Sequence, residues 1–218
     1  GQTCIAPDFI LVKSTVKEEL INHLILEIQK AYSETPEVSP DYCRIINKKN
    51  WLRLNQLIEN QNIIFGGTTN EEDCYFAPTL INDPNLSSDL MKEEIFGPIL
   101  PIITYSSFED LNRIISPLPK PLSLYVFTEN KTFREKCIQQ FSYGGGCIND
   151  TVIHFGNRRL PFGGVGSSGI GAYRGKRSFM TFSHQKSVVK RKNWLDISFR
   201  YAPYNSKLTK LKKILKWL

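Results

Sequence analysis

The chain has 218 residues, 41% hydrophobic and 22% charged, a composition that supports a packed core and excludes wholesale disorder. Its five cysteines, Cys4, Cys43, Cys74, Cys137 and Cys147, are odd in number and contain no Cys-x-x-Cys pair. This argues against a disulfide framework or a zinc site and favours a reducing, cytoplasmic setting. The net charge of +7 is uneven: residues 184–218 carry ten Lys or Arg against the single Asp196, leaving eighteen basic and twenty acidic residues in 1–183.

Phe9-Ile10-Leu11-Val12 is a short branched apolar run of the kind that forms a buried strand, and Leu20, Ile21, Leu24, Ile25 and Ile28 repeat at helical spacing across residues 17–32. Trp51, Leu52, Leu54, Leu57 and Ile58 mark a second helix, followed by a strand at Ile63-Ile64-Phe65 and a turn at Gly66-Gly67. Further along, residues 99–105 read as a strand, 108–115 as a helix, 122–127 as a strand, 132–141 as a helix and 146–148 as a short strand. Strands alternating with helices of about ten residues predict an α/β domain with a largely parallel sheet flanked by helices.

Past residue 183 the character changes. Ser187-Val188-Val189 is a short β-type segment, and the last residues place Leu208, Leu211, Leu215 and Leu218 on one helical face among five lysines. The predicted organisation is a body, 1–183, and an oligomerisation strand with a basic amphipathic tail, 184–218. The tail carries no helix-turn-helix, finger or RNA-binding motif, so no nucleic-acid partner is expected; peripheral contact with an anionic membrane is the alternative. No apolar run reaches the roughly 18 residues of a membrane span, and no signal-peptide pattern is present. The chain opens on Gly-Gln-Thr-Cys without Met, as a piece of a longer protein would.

Three segments can carry chemistry. Gly1-Gln2-Thr3-Cys4-Ile5-Ala6-Pro7 places a thiol among small residues just before a strand, where a nucleophile needs exposure and nearby backbone N–H groups; a small buried cysteine fits the same pattern. Glu93-Glu94-Ile95-Phe96-Gly97-Pro98 leads into the strand at 99–105, with a carboxylate able to accept from ribose hydroxyls and a ring able to border a flat heterocycle, or merely an acidic turn with a packed Phe96. Residues 160–171 hold five glycines between 163 and 171, without the spacing of a dinucleotide fingerprint. Such a segment serves as a close-packed loop around a thiol or as a flexible surface loop.

In this order and at these separations the three segments resemble the aldehyde dehydrogenase family. Ser39-Pro40-Asp41-Tyr42-Cys43-Arg44-Ile45-Ile46-Asn47 and Gly171-Ala172-Tyr173-Arg174-Gly175-Lys176 resemble its class 3 branch, as does Arg200-Tyr201-Ala202-Pro203-Tyr204, with Ala202 where that branch usually has proline. The resemblance implies that Cys4 is the nucleophile, Glu94 the carboxylate holding the nicotinamide ribose and Phe96 the ring beside the nicotinamide. It further implies that Asn149 supports the thiol loop and that Phe162 borders the substrate pocket. The implied activity is NAD- or NADP-dependent oxidation of a small-molecule aldehyde to the acid, through a thiohemiacetal and a thioester on Cys4, in a homodimer. On the same resemblance the oxyanion asparagine, the glutamate base and the coenzyme domain lie upstream of Gly1, so the 218 residues alone are expected to be inactive. Alternative readings are a coenzyme A-acylating enzyme and a non-catalytic binding or assembly module that keeps the fold. No metal site is expected.

Overall fold

Strand β1 (Ile10–Lys13) lies parallel to a second strand nearly ninety residues later, with Ile10 opposite Ile102 and Lys13 opposite Tyr105. The computed structural model describes residues 1–194, 196, 201–203, 208, 209, 212, 213 and 216. They divide into two compact units, Gly1–Phe182 and Ser183–Leu218.

The first unit runs through α1 (Lys17–Tyr32), α2 (Lys48–Leu57), β2 (Ile63–Phe65), β3 (Thr69–Asn70), β4 (Tyr75–Phe76), β5 (Thr79–Asn82), α3 (Asp89–Lys92), β6 (Ile99–Tyr105), α4 (Phe108–Ile115), β7 (Ser123–Val126), α5 (Lys131–Gln140), β8 (Gly145–Ile148), α6 (Ile153–Gly156) and α7 (Gly175–Thr181). The main sheet has the order β1-β6-β5-β2. β1 and β5 run parallel to β6, while β2 is antiparallel to β5. β3 and β4 form a short antiparallel pair.

The two faces of this sheet follow from the period of two along its central strands. On β6, Ile99 and Ile103 enter a core with Trp51, Leu54 and Leu57 of α2, Phe76 of β4, Leu90 of α3 and Ile114 of α4. Ile102, between them, faces the other way and packs with Val12 of β1, Leu80 of β5 and Ile21 of α1. β5 divides in the same manner, Ile81 into the first core and Leu80 into the second. Covering both faces with helices is what a parallel sheet requires.

Local capping sets the helix starts. The Asn47 side chain accepts from Asn50 N–H at 2.9 Å, and Asn130 accepts from Phe133 N–H at 3.0 Å. Ser107 and Asp110 form a reciprocal capping box on α4.

The strands expected at 122–127 and 146–148 form, as β7 and β8, a separate parallel pair outside the main sheet, with Tyr125 opposite Cys147. In the second unit, residues 183–192 carry no regular secondary structure, and Val188 and Val189 are exposed. A two- to four-residue strand holds its geometry only beside a partner edge. Most of the tail expected to be helical, including Leu211, Leu215 and Leu218, lies outside the described residues. Among the described residues, no helix is long and apolar enough to cross a membrane.

Candidate active site

Cys4 sits in a tight turn ahead of β1. Ala6 N–H donates to the Thr3 carbonyl at 3.1 Å across it, the thiol is exposed, and buried Ile5 pins the next position. Among the described residues, no hydrogen bond engages the Cys4 backbone N–H.

Three distant parts of the chain hold this turn in place. The Gln2 amide donates to the Arg44 carbonyl and accepts from Ile46 N–H, both at 3.0 Å, as a rung of sheet would. The Tyr125 hydroxyl on β7 donates to the Ile5 carbonyl at 2.7 Å. Gly1 lies so close to the loop before β6 that a Cβ on it would fall 1.9 Å from the Gly97 carbonyl oxygen.

That last contact sets the loop that carries Glu94 and Phe96 against Gly1, three residues before Cys4. The loop carrying them has its own anchors. Asp8 accepts from Ile95 N–H at 2.9 Å, and the Arg53 guanidinium donates to the carbonyls of Glu94 and Ile95. Burial pushes the Asp8 carboxyl up; the bond from Ile95 opposes this, Glu94 adds to it and Arg53 counters it.

Ile95 is buried, whereas Glu94 and Phe96 face outward, with Phe96 41% exposed and at φ 51°. A bulky residue in the left-handed region is strained. Here the strain turns the ring out while Ile95 stays in the core. The Glu94 carboxylate makes no hydrogen bond among the described residues and is available as an acceptor.

Both loops precede their strands, so they meet at the amino ends of β1 and β6. The carboxyl ends, where open α/β sheets usually bind ligands, are on the other side.

Asn149 and Phe162 are placed differently. Asn149, at φ 54° just after β8, accepts from Thr128 N–H at 2.7 Å and donates to the Thr128 carbonyl at 3.2 Å, extending the β7–β8 ladder by one side-chain rung. Its amide is spent on that ladder, and any support of the thiol turn passes through the strand pair. Phe162 is half-buried and paired with Tyr173 in an isolated antiparallel bridge. Its ring lies 5.0 Å from Phe155, 5.7 Å from Tyr173 and 6.3 Å from His154, and the His154 ring is 5.8 Å from Tyr125. A line of rings thus leads from the thiol turn to Phe162.

Gln2, Asp8, Arg53 and Tyr125 carry no role that sequence reasoning assigns, because each works across 40 to 120 positions of chain. Among the described residues, no group of His, Cys, Asp and Glu is arranged to hold a metal ion.

An exposed thiol on a tethered turn and a loop with an outward carboxylate and ring thus sit at one end of a helix-covered, largely parallel α/β sheet. The aldehyde dehydrogenase family profile matches residues 1–188, and the chain belongs to that family. It is 45% identical over 218 residues to the 4,4'-diaponeurosporen-aldehyde dehydrogenase of Staphylococcus aureus, covering 99% of this chain and 48% of that protein. It is 46% identical over 189 residues to aldehyde dehydrogenase family 3 member A2 of Rattus norvegicus, covering 87% of this chain and 39% of that one. The structure described as the substrate-bound state of Staphylococcus aureus AldH superimposes with a TM-score of 0.82 at 45% identity, over 99% of this chain and 47% of that chain. The chain spans about half the length of the curated relatives it matches, at most 48% of those named here.

Proposed function

We propose that this chain supplies the nucleophile and part of the coenzyme-positioning surface for NAD(P)-dependent oxidation of an aldehyde to its carboxylic acid. The observation that carries the reading is the exposed Cys4 turn, locked by Gln2, Tyr125 and the Gly1–Gly97 contact beside Glu94 and Phe96.

Cys4 Sγ, as thiolate, attacks the carbonyl carbon and gives a thiohemiacetal whose oxyanion can accept from the uncommitted Cys4 N–H. Loss of the C–H electron pair as hydride converts this to a thioester on Cys4, which water cleaves to the acid and the free thiol. The nicotinamide, when bound, supplies the hydride acceptor. Glu94 offers it a carboxylate for ribose hydroxyls and Phe96 an apolar face, and the outward placement of both fits that use. The dimeric relative from Rattus norvegicus, 43% identical, is called NADP-preferring.

Cys4→Ser should lower aldehyde-dependent formation of reduced coenzyme by about 10³-fold or more, because a hydroxyl is a far poorer nucleophile near neutral pH. Coenzyme affinity should stay within about twofold, since the side chain is not asked to bind it. The assay is absorbance of the reduced nicotinamide in the protein that contains this chain, with coenzyme titrated separately. Turnover by the serine variant close to wild type would remove Cys4 from the mechanism.

The same reading extends to a cytoplasmic homodimer in which residues 187–190 pair across the subunit boundary, and to a basic tail that contacts anionic membrane surfaces. The exposed Val188 and Val189 and the excess of lysine after residue 205 support it.

A further inference from the structure

The ring line ends on a cation. Arg174 Cζ lies 4.1 Å from the centroid of Phe155, 5.5 Å from Phe162 and 5.6 Å from Tyr173, and its Nη1 donates to the Phe155 carbonyl. Rings and a carbonyl hold the guanidinium, and no carboxylate ion-pairs with it among the described residues. One of its five N–H donors is committed, and the other four remain for a ligand.

The surrounding segment is equally one-sided. Residues 151–182 contain Arg158, Arg159, Arg174, Lys176 and Arg177 and no Asp or Glu. The backbone at Arg158 and Arg159 comes within 4 Å of a Cβ placed on Gly175, so the two basic stretches meet. Arg174 itself stands at φ 83°, an unfavourable backbone state for a non-glycine residue, with its N–H bonded to Ser178 Oγ at 2.6 Å.

We propose that Arg174, caged by Phe155, Phe162 and Tyr173, is a carboxylate-binding subsite, and that the preferred substrates are aldehydes bearing a carboxylate at the far end of an apolar spacer. This rests on Cys4 being the nucleophile. The aldehyde end reaches the thiol turn, the spacer runs over His154 and Phe162, and the carboxylate meets the guanidinium fork. A fork of parallel N–H donors matches a carboxylate, and the flanking rings hold the guanidinium plane in place for it. The basic neighbours add attraction for an anionic substrate during approach.

The test pairs azelaic semialdehyde with nonanal, equal in length and differing in the terminal carboxylate. In the protein that contains this chain, kcat/KM should favour the semialdehyde. Arg174→Met should reduce that ratio by about 10- to 100-fold, the worth of one charge-assisted contact. Arg174→Lys keeps the charge without the fork and should give an intermediate ratio, with thermal melting used to confirm folding of both variants. Independently of turnover, calorimetric titration with azelate should show about 10- to 100-fold weaker binding to Arg174→Met and little change in Cys4→Ser. Equal azelate affinity in wild type and Arg174→Met, or a semialdehyde-to-nonanal ratio unmoved by the substitution, overturns the subsite. Arg174-dependent azelate binding without oxidation of any aldehyde would keep the subsite and reject the dehydrogenase reading.

Discussion

Asp8 shows how a side chain outside the proposed site helps to fix where Glu94 and Phe96 lie. Its carboxylate accepts the Ile95 N–H, and burial holds its pKa above the ordinary aspartate value. A carboxyl raised in the folded state contributes stability below its unfolded pKa and loses it as pH rises through the folded value. Asp8→Asn keeps an acceptor oxygen without the buried charge. Its melting temperature should therefore gain on wild type as pH is raised from about 3 to about 6. Asp8→Ala leaves the Ile95 N–H unpaired and should cost about 1–3 kcal/mol at neutral pH. Melting curves of the two variants across pH check both statements; a constant difference between Asp8→Asn and wild type would mean that the carboxyl is not perturbed.

At the scale of elements, the close approach of the β6 loop to α2 limits what position 97 can hold. A Cβ on Gly97 would lie 2.5 Å from Leu54 Cδ2, and Leu54 is fully buried. Gly97→Ala should destabilise by about 1–3 kcal/mol through overpacking, and Leu54→Ala in the same chain should recover part of the loss by making room. Denaturant titration of the two single variants and the double variant reads the coupling; strict additivity would place the clash elsewhere.

Elements differ in how plainly their residues announce them. α1, β6 and α4 are legible in the sequence through the apolar repeat across residues 17–32, the apolar run at 99–105 and the helical stretch at 108–115. β5, inside the sheet, is not: it is four residues long, follows Pro78 and is preceded by the two-residue β4. The motif around Cys4 and the Glu94–Pro98 segment can be found because their residues are contiguous. Asp8, Tyr125 and the Arg174 cage cannot, because their chemistry exists only after distant segments have met.

For the whole molecule, the proposed assembly and membrane contact separate by where the chain is cut. Removing residues 187–218 from the protein that contains this chain should give monomers by light scattering. Removing only 205–218 should leave dimers that no longer sediment with anionic liposomes at low salt. Each exposed lysine near such a surface is worth about 1 kcal/mol, and salt screens that attraction within about 8 Å at physiological strength. Dimers after the longer deletion would exclude residues 187–190 as the boundary, and unchanged liposome binding after the shorter one would exclude the tail.

The tethering of the Cys4 turn also sets the order in which the protein can mature. Gln2 waits for residues 44–46, Gly1 for residue 97 and Ile5 for residue 125, while β1 waits for β6. During synthesis, at about 5–20 residues per second, Cys4 therefore passes many seconds attached to a chain that cannot yet close around it. Contacts this remote in sequence form slowly after loop closure. Cys4 is thus tied into its turn only after residue 125 has been made, and until then a nascent chain carries it as an untethered thiol.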